Sequence, residues 1–139
     1  MSLDEFVKKY LGKKVDYDGH YGAQCVDLFR QYCKDVLKIP HTGGVIGASE
    51  LYTKYEKLPL EMKYFERIPR TKGKPQAGDV AVFMPTKGNK YGHVAIVISA
   101  DKETLTVFEQ DGFAQTGTYI VTRSYTYILG FLRKKEGIG

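Results

Sequence analysis

The spacing of apolar residues predicts helices in the first part of the chain. Residues 2–11 place their apolar side chains on one helical face, and Ser2 with Glu5 matches a capping box at the start. A second helical pattern covers residues 25–37 and ends before Pro40. The loop between these two helices and the glycine-rich segment HTGGVIG are rich in turn residues.

The pattern changes after a shorter third helix, which we expect in the segment ASELYTKY. Five short runs rich in β-branched and aromatic residues then alternate with turn residues, which predicts strands. These runs are DVAVFM, HVAIVIS, TLTVFEQ, YIVTRSY and ILGFLRK. Helices followed by strands are typical of an α+β fold. We therefore expect one domain over residues 1–139, with N-terminal helices packed on an antiparallel sheet of about five or six strands.

Composition and charge exclude some classes of protein. Apolar residues make up 42% of the chain and charged residues 27%, as in ordinary globular domains. No run approaches the roughly 20 apolar residues of a membrane span, and the N-terminus lacks the pattern of a secretory signal peptide. The net charge of +5 is scattered, which argues against a nucleic-acid footprint. It suits a basic soluble domain, or one attracted to a polyanionic surface such as a bacterial cell wall.

The two cysteines are expected to be free thiols. Cys25 and Cys33 lie eight residues apart on one predicted helix, about 12 Å along its axis, which is too far for a disulfide. Cys33 falls on the apolar face and is interpreted as a small buried side chain. Cys25 begins the helix, where unpaired N–H groups and the helix dipole favour a thiolate. Taken alone, Cys25 is better interpreted as a packing residue, because most free cysteines only pack.

A histidine and two acids could complete a site with Cys25. His93 begins an apolar strand after a glycine turn, Glu109 ends the next strand, and Asp111 follows two residues later. A half-solvated histidine and a solvated acid are the ordinary interpretations of such strand ends. Together, however, a helix-start cysteine, a strand-start histidine and an acid on the following strand form the arrangement of papain-like hydrolases.

The chain resembles the CHAP domain family, the cysteine, histidine-dependent amidohydrolases/peptidases. The resemblance rests on GAQCVDLFRQY, PQAGDVAVF, YGHVAIVIS, FEQDG and ILGFLRK, in that order. It implies a compact papain-like fold and cleavage of an amide bond in bacterial peptidoglycan, as in phage endolysins, tail-associated lysins and autolysins. It also implies synthesis in the host cytoplasm, action on the wall after release or export, and a monomeric protein. Both chain ends also fit the cut edges of a domain excised from a longer lysin.

The resemblance assigns roles to individual residues. Cys25 is the implied nucleophile, His93 the base and Glu109 the group that orients the imidazole. Gln24 matches the glutamine that helps to form the oxyanion hole with the Cys25 backbone N–H. Many relatives have Asn where this chain has Asp111, and a carboxylate cannot donate as an amide does, so the role of Asp111 stays open.

The loop before Cys25 has the spacing of an EF-hand-like calcium loop. If Asp16 is counted as position 1 of the loop, candidate ligands fall at positions 1, 3, 5, 7 and 12. These residues are Asp16, Asp18, His20, Gly22 and Asp27, with His20 and Gly22 offering backbone carbonyls. The match departs from a true EF-hand at positions 6 and 12, and an Asx-rich surface turn is the alternative. Some endolysin CHAP domains resemble this loop and bind calcium there, so we expect structural Ca²⁺.

Two other functions remain open. One is a wall-binding module without catalysis, against which the presence of Cys, His and acid together argues. The other is a related cysteine peptidase of NlpC type, or a toxin effector, acting on another amide. The sequence does not identify which peptidoglycan bond would be cut.

Overall fold

The computed structural model of the protein describes residues 1–17, 24–40, 45–111 and 115–136. Its four α-helices in these ranges are α1 (Leu3–Tyr10), α2 (Cys25–Tyr32), α3 (Glu50–Thr53) and α4 (Pro59–Tyr64). Its six strands there are β1 (Phe65–Pro69), β2 (Val80–Phe83), β3 (His93–Ala100), β4 (Thr104–Gln110), β5 (Thr118–Ser124) and β6 (Ile128–Lys134). The strands form one antiparallel sheet in the order β1-β6-β2-β3-β4-β5. The predicted α+β class and strand number are confirmed.

The first helix begins with the predicted capping box. The Glu5 N–H donates to Ser2 Oγ at 3.1 Å, and the Ser2 N–H donates to Glu5 Oε1 at 3.0 Å. Each bond satisfies a backbone donor that the helix itself leaves without an acceptor. Phe6 is fully buried in this helix, with its ring 5.5 Å from that of Tyr32.

The second helix continues beyond its regular part. After Tyr32 the chain makes a π-helical turn, Cys33–Leu37, and Lys38 then takes a left-handed conformation that ends it. This extent matches the predicted helix over residues 25–37. Cys33 is fully buried and Cys25 half-buried, and both are free thiols as expected.

The pattern of hydrophobic residues did not predict α4 or β1. The segment PLEMKYFERIP does not alternate, because Glu66 and Arg67 stand side by side, and among the described strands β1 pairs with β6 alone, at the sheet edge. Edge strands carry polar residues and tolerate proline, so their apolar signal is weak. The third helix is also shorter than the predicted segment, since only Glu50–Thr53 is α-helical.

The main core lies between the helices and one face of the sheet. From α2, Leu28, Phe29 and Tyr32 pack into it, and Val94 and Phe108 are among the sheet residues that they share it with. The opposite face buries a smaller cluster. That cluster contains Ala81, Phe83, Ala95, Val97, Leu105, Val107, Ile128 and Phe131. Because β2 and β3 are buried on both faces, their positions are closely fixed.

Residues just after α1 hold the beginning of the outer strand β5. The Gly12 N–H donates to the Thr118 carbonyl oxygen at 3.1 Å, and the Thr118 N–H donates to the Lys13 carbonyl oxygen at 2.9 Å. The Thr118 hydroxyl donates to the Tyr10 carbonyl oxygen at 2.5 Å. The start of this outer strand is therefore paired with backbone at its free edge.

None of the helices within the described ranges is long and apolar enough to cross a membrane. The expectation that residues 1–139 form one domain stays a prediction.

A glycine turn places the first residue of β3. Gly92 has a φ of 75°, and a Cβ there would lie 2.6 Å from the Phe83 carbonyl oxygen and 2.7 Å from Ser49 Cβ. Gly92→Ala should lower the free energy of unfolding by at least about 2 kcal/mol, because it adds backbone strain and a steric clash. Urea unfolding measures this.

Gly88 provides the matched control in the same connection between β2 and β3. A Cβ at Gly88 meets nothing within 4 Å, and its φ is not in the left-handed range. Gly88→Ala should therefore change the free energy of unfolding by less than about 0.5 kcal/mol. Equal destabilisation by the two substitutions would contradict the assigned role of Gly92.

Candidate active site

Cys25 is the first residue of α2, and the chain enters this helix in extended conformation at Gln24. The Gln24 N–H donates to Asp27 Oδ2 at 3.0 Å, which closes the first turn. Asp27 is only 3% exposed, whereas Gln24 is exposed, so this bond joins the surface to the interior at the start of the helix. The thiol of Cys25 is thereby set at the N-terminal end of a helix, where the backbone favours negative charge.

His93 begins β3 and meets both Cys25 and Glu109. Its Nε2 lies 3.2 Å from Glu109 Oε2, a distance for an ion pair, although the angles fall outside hydrogen-bond geometry. The Cys25 thiol is within interaction range of the same imidazole. Because Nε2 faces Glu109, Nδ1 is the ring nitrogen that remains for the thiol.

Antiparallel pairing explains why these residues meet. β3 and β4 are neighbours, so the start of β3 lies beside the end of β4, and His93 therefore approaches Glu109. Phe83 of β2 is the register partner of His93, and the two rings lie 5.5 Å apart. The sequence predicted Cys25, His93 and Glu109 as one site, and the structure brings the three side chains together.

The protonation of His93 depends on opposing effects. Burial alone would lower the pKa of this imidazole, but its contacts with Cys25 and Glu109 raise the pKa to about 9. The imidazolium form is therefore favoured at neutral pH. A positive ring therefore stands beside the thiol that begins α2.

Glu109 is fully buried, and two residues of β5 hold it. The Tyr119 hydroxyl donates to Oε2 at 2.7 Å, and Arg123 Nε donates to Oε1 at 2.6 Å. Arg123 Nη2 makes a second bond, to Oε2. Burial would raise the pKa of Glu109, but Arg123, His93 and Tyr119 lower it to about 2. The carboxylate is therefore ionised at any pH at which the protein is expected to act.

The sequence did not predict Arg123 and Tyr119 as members of the site. They stand at alternate positions with Val121, so all three side chains share one face of β5. Val121 packs against the smaller core cluster, and Tyr119 is the register partner of Glu109. The sequence feature that could have indicated the role of Arg123 is a charged residue on the strand face that Val121 turns towards the core.

Gln110 is a second residue that the sequence did not predict. It is fully buried, and its side chain exchanges two 2.7 Å hydrogen bonds with the Val15 backbone. Its Nε2 also donates to the Gln24 carbonyl oxygen at 2.9 Å. Gln110 therefore ties the loop before α2, and the residue preceding Cys25, to the end of β4.

A cleft of about 240 Å³ opens beside His93. Its lining residues are Phe83, Met84, Thr86, Asn89, Gly92, His93, Asp111, Tyr119, Arg123 and Tyr127. Asp111 lies just beyond β4, which ends at Gln110, so it is placed by a loop and not by strand alternation. The cleft offers aromatic faces and both signs of charge next to the imidazole.

The candidate calcium ligands are only partly described. Asp16 is exposed and Asp27 is buried, with Asp27 Oδ1 4.0 Å from the Arg30 guanidinium. Asp18, His20 and Gly22 lie outside the described residues. Within residues 1–17, 24–40, 45–111 and 115–136, no group of three His, Cys, Asp or Glu side chains is placed to hold a metal. Calcium binding therefore stays a prediction.

The sequence matches a known family. Residues 14–111 match the CHAP domain, which is more than half of the chain. The chain therefore belongs to the CHAP domain family, as the sequence motifs predicted.

Two phage proteins are similar in sequence. The chain is 34% identical over 98 residues to a D-alanyl-L-alanine endopeptidase of Streptococcus phage B30, a match that covers 68% of this chain and 21% of that protein. It is 30% identical over 142 residues to Endolysin PlyTW of Staphylococcus phage Twort, a match that covers 94% of this chain and 29% of that protein. The chain thus spans less than a third of either relative.

Solved structures share the fold. The endolysin LysIME-EF1 superposes with a TM-score of 0.72 at 23% identity, over 96% of this chain and 64% of that one. Ly7917 gives a TM-score of 0.70 at 21% identity, over 96% of this chain and 62% of that one. At these identities, the likeness establishes the fold.

The protonation of His93 can be tested directly. An NMR titration of the imidazole should give a pKa near 9, and Cys25→Ala should lower that pKa because one of the raising contacts is lost. The folded pKa lies above the ordinary value of 6.5. The contribution of His93 to stability is therefore fully present below pH 6.5 and is lost as the pH rises through about 9.

Urea unfolding at a series of pH values measures the same effect. The variant His93→Gln should lack the part of the decline in stability that begins above pH 6.5. A folded-state pKa at or below 6.5 would show that the imidazole does not carry the charge assigned to it.

Proposed function

We propose that the chain is a catalytic domain that hydrolyses an amide bond of bacterial peptidoglycan, with Cys25 as nucleophile, His93 as acid and base, and Glu109 as the group that orients the imidazole. One observation carries the proposal. Three separate elements, α2, β3 and β4, bring a helix-start thiol, an imidazole and a buried carboxylate into contact. A module that only binds the wall needs none of these groups.

The reaction begins from a thiolate and an imidazolium. The Cys25 thiolate attacks the carbonyl carbon of the amide, and the carbonyl oxygen takes up the negative charge. The His93 imidazolium then gives its proton to the amide nitrogen as the C–N bond breaks, which releases the amine. The acyl group remains on Cys25 as a thioester.

Water completes the cycle. The neutral His93 now accepts a proton from a water molecule, whose oxygen attacks the thioester carbonyl. The C–S bond breaks and releases a carboxylic acid, and the thiolate and imidazolium are restored. Glu109 takes no proton in either half of the reaction, because its pKa is held at about 2. Its role is to hold Nε2, so that the other ring nitrogen faces the sulfur.

The oxyanion that forms during the attack of the thiolate needs hydrogen-bond donors to stabilise it. The first N–H groups of a helix have no intrahelical acceptor, so the backbone at the start of α2 can donate to a developing negative charge. Family resemblance assigns the same task to the Gln24 side chain. The Gln24 N–H donates to Asp27 and the Gln24 carbonyl oxygen accepts from Gln110, and these two bonds fix the backbone at this point.

The bond that is cut is a finer part of the proposal. The relative from phage B30 is named an endopeptidase, and this name favours a peptide bond of the wall over the glycan–peptide amide. The site of action would be the cell wall, after release or export from the cytoplasm in which the chain is made. Mass spectrometry of fragments released from purified walls identifies the bond.

Substitution of the two cysteines separates catalysis from packing. Cys25→Ala and His93→Ala should each abolish hydrolysis of purified peptidoglycan, measured as the appearance of new amino groups, because thiolate and base act as a unit. Cys33→Ser should retain activity and lose some stability, since Cys33 is fully buried. A fully active Cys25→Ala variant would overturn the nucleophile assignment, and cleavage of a different amide alone would reassign the substrate.

We also propose that Ca²⁺ binds the loop before α2, held by Asp16, Asp18 and Asp27 and the carbonyl oxygens of His20 and Gly22. The carboxylate and carbonyl oxygen donors suit a hard cation. The ion would supply positive charge among carboxylates that otherwise repel one another, and it would stabilise the entry to α2.

Calcium should bind the chelator-stripped protein in a calorimetric titration and raise its melting temperature by mass action. Magnesium should substitute poorly, because it resists dehydration into a loose oxygen cage. Asp16→Ala should remove both responses, whereas Asp4→Ala, in α1, should keep them. Absence of both heat and a melting shift in the unsubstituted protein would identify the loop as a surface turn.

A further inference from the structure

The support of Glu109 by β5 is more extensive than a buried carboxylate needs for charge balance alone. Glu109 is 0% exposed, and Oε2 is approached by three groups: His93 Nε2, the Tyr119 hydroxyl and Arg123 Nη2. Oε1 accepts from Arg123 Nε at 2.6 Å. A guanidinium that bonds both oxygens fixes the plane of the carboxylate as well as its position.

We infer that Arg123 is a positioning residue of the active site, which with Tyr119 holds the Glu109 carboxylate in the orientation that contacts His93. The inference rests on the proposed function of Cys25, His93 and Glu109. It states that β5, which carries none of these three residues, sets their relative positions. Arg123 acts through Glu109, and its task is orientation.

The position of Arg123 is itself fixed. Its guanidinium lies 5.5 Å from the centre of the Phe83 ring, and the same ring lies 5.5 Å from that of His93. Phe83 therefore contacts both the residue that orients Glu109 and the residue that Glu109 orients. Lysine could keep the charge at this position, but it could not make the paired bonds or the planar stacking contact.

The charged and titratable groups around Glu109 come from each element that packs there. β3 contributes His93, β5 contributes Tyr119 and Arg123, α2 contributes Cys25 beyond the imidazole, and Asp111 follows β4 at the cleft. Asp111 and Cys25 are neutral or negative, so in the described part of the chain Arg123 is the permanent cation beside Glu109. Its removal leaves a buried carboxylate with only the hydroxyl and the imidazole.

The sign of the pH effect follows from this arrangement. Without Arg123, Glu109 takes up a proton at a higher pH, because the charge that opposes protonation is gone. A protonated or rotated Glu109 no longer holds His93, and the imidazolium no longer supports the thiolate. As the pH is lowered, a variant without Arg123 should therefore lose the reactivity of Cys25 at a higher pH than the unsubstituted protein does.

The experiment measures alkylation of Cys25 by iodoacetamide as a function of pH, resolved by peptide mass spectrometry. The variants are Arg123→Gln, Arg123→Lys and Tyr119→Phe, and wall hydrolysis is measured in parallel. Arg133→Gln is the matched control, because Arg133 makes paired bonds of 2.9 and 2.8 Å to Asp79, another buried carboxylate, outside the site. Like Arg123→Gln, this control removes an arginine of a strand from its ion pair with a buried carboxylate.

Arg123→Gln should move the acid-side midpoint of alkylation up by about one pH unit or more. It should lower the maximal rate of wall hydrolysis by about tenfold to a hundredfold, the cost of a misplaced catalytic group. Arg123→Lys should bring the midpoint back close to that of the unsubstituted protein but should leave the rate of hydrolysis lowered. Lysine returns the positive charge, but it cannot make the paired bonds of a guanidinium to both carboxylate oxygens. Tyr119→Phe should change the rate in the same direction by a smaller factor.

Arg133→Gln should lower the melting temperature without moving the midpoint. If Arg123→Gln only lowers the melting temperature, as this control does, Arg123 is structural and the inference is wrong. If Arg123→Gln fails to fold, Arg123→Lys and Tyr119→Phe decide, and unchanged profiles in both overturn it. If the midpoint moves but the unsubstituted protein releases nothing from walls, the inference stands and the proposed substrate is wrong.

Discussion

The packing of α2 against β3 and β4 is the interaction on which the site depends. One side of the helix buries Leu28, Phe29 and Tyr32 against Val94 and Phe108 in the main core. This contact fixes the first turn of the helix, and therefore the thiol, over the edge where β3 begins and β4 ends. Small displacements of such a packed interface are costly because interiors leave few voids. The core thus determines a distance that the reacting groups could not set by themselves.

Much of the fold and the central part of the site could be predicted from the sequence. The capping box of Ser2 and Glu5 and the strands of alternating apolar residues depend on local rules, and these were sufficient. His93 and Glu109 could be paired because antiparallel neighbours bring the start of one strand to the end of the next.

The remaining parts depend on long-range contacts that no local pattern reports. Arg123 stands in a strand whose spacing predicts only its face, and its partner becomes known when β5 pairs with β4. Gln110 is fully buried and bonded to the Val15 backbone, a contact across 95 residues that no local pattern indicates. The edge strand β1 was not predicted because its five residues include two adjacent charged residues and a proline, which edge strands tolerate. Calcium binding by the loop before α2 remains a prediction, as does the place of Asp111 in the active site.

The backbone bonds between the end of α1 and Thr118 link two distant parts of the chain. Gly12 and Thr118 are 106 residues apart, and their pairing covers the start of the strand that carries Tyr119 and Arg123. Outer strands ordinarily open by fraying from their ends, on the low-stability side of a protein's local fluctuations. Here fraying of β5 from this end requires release of the N-terminal segment. Amide hydrogens of both segments should therefore exchange as one cooperative unit, which makes the N-terminal helix part of the dynamics of the active site.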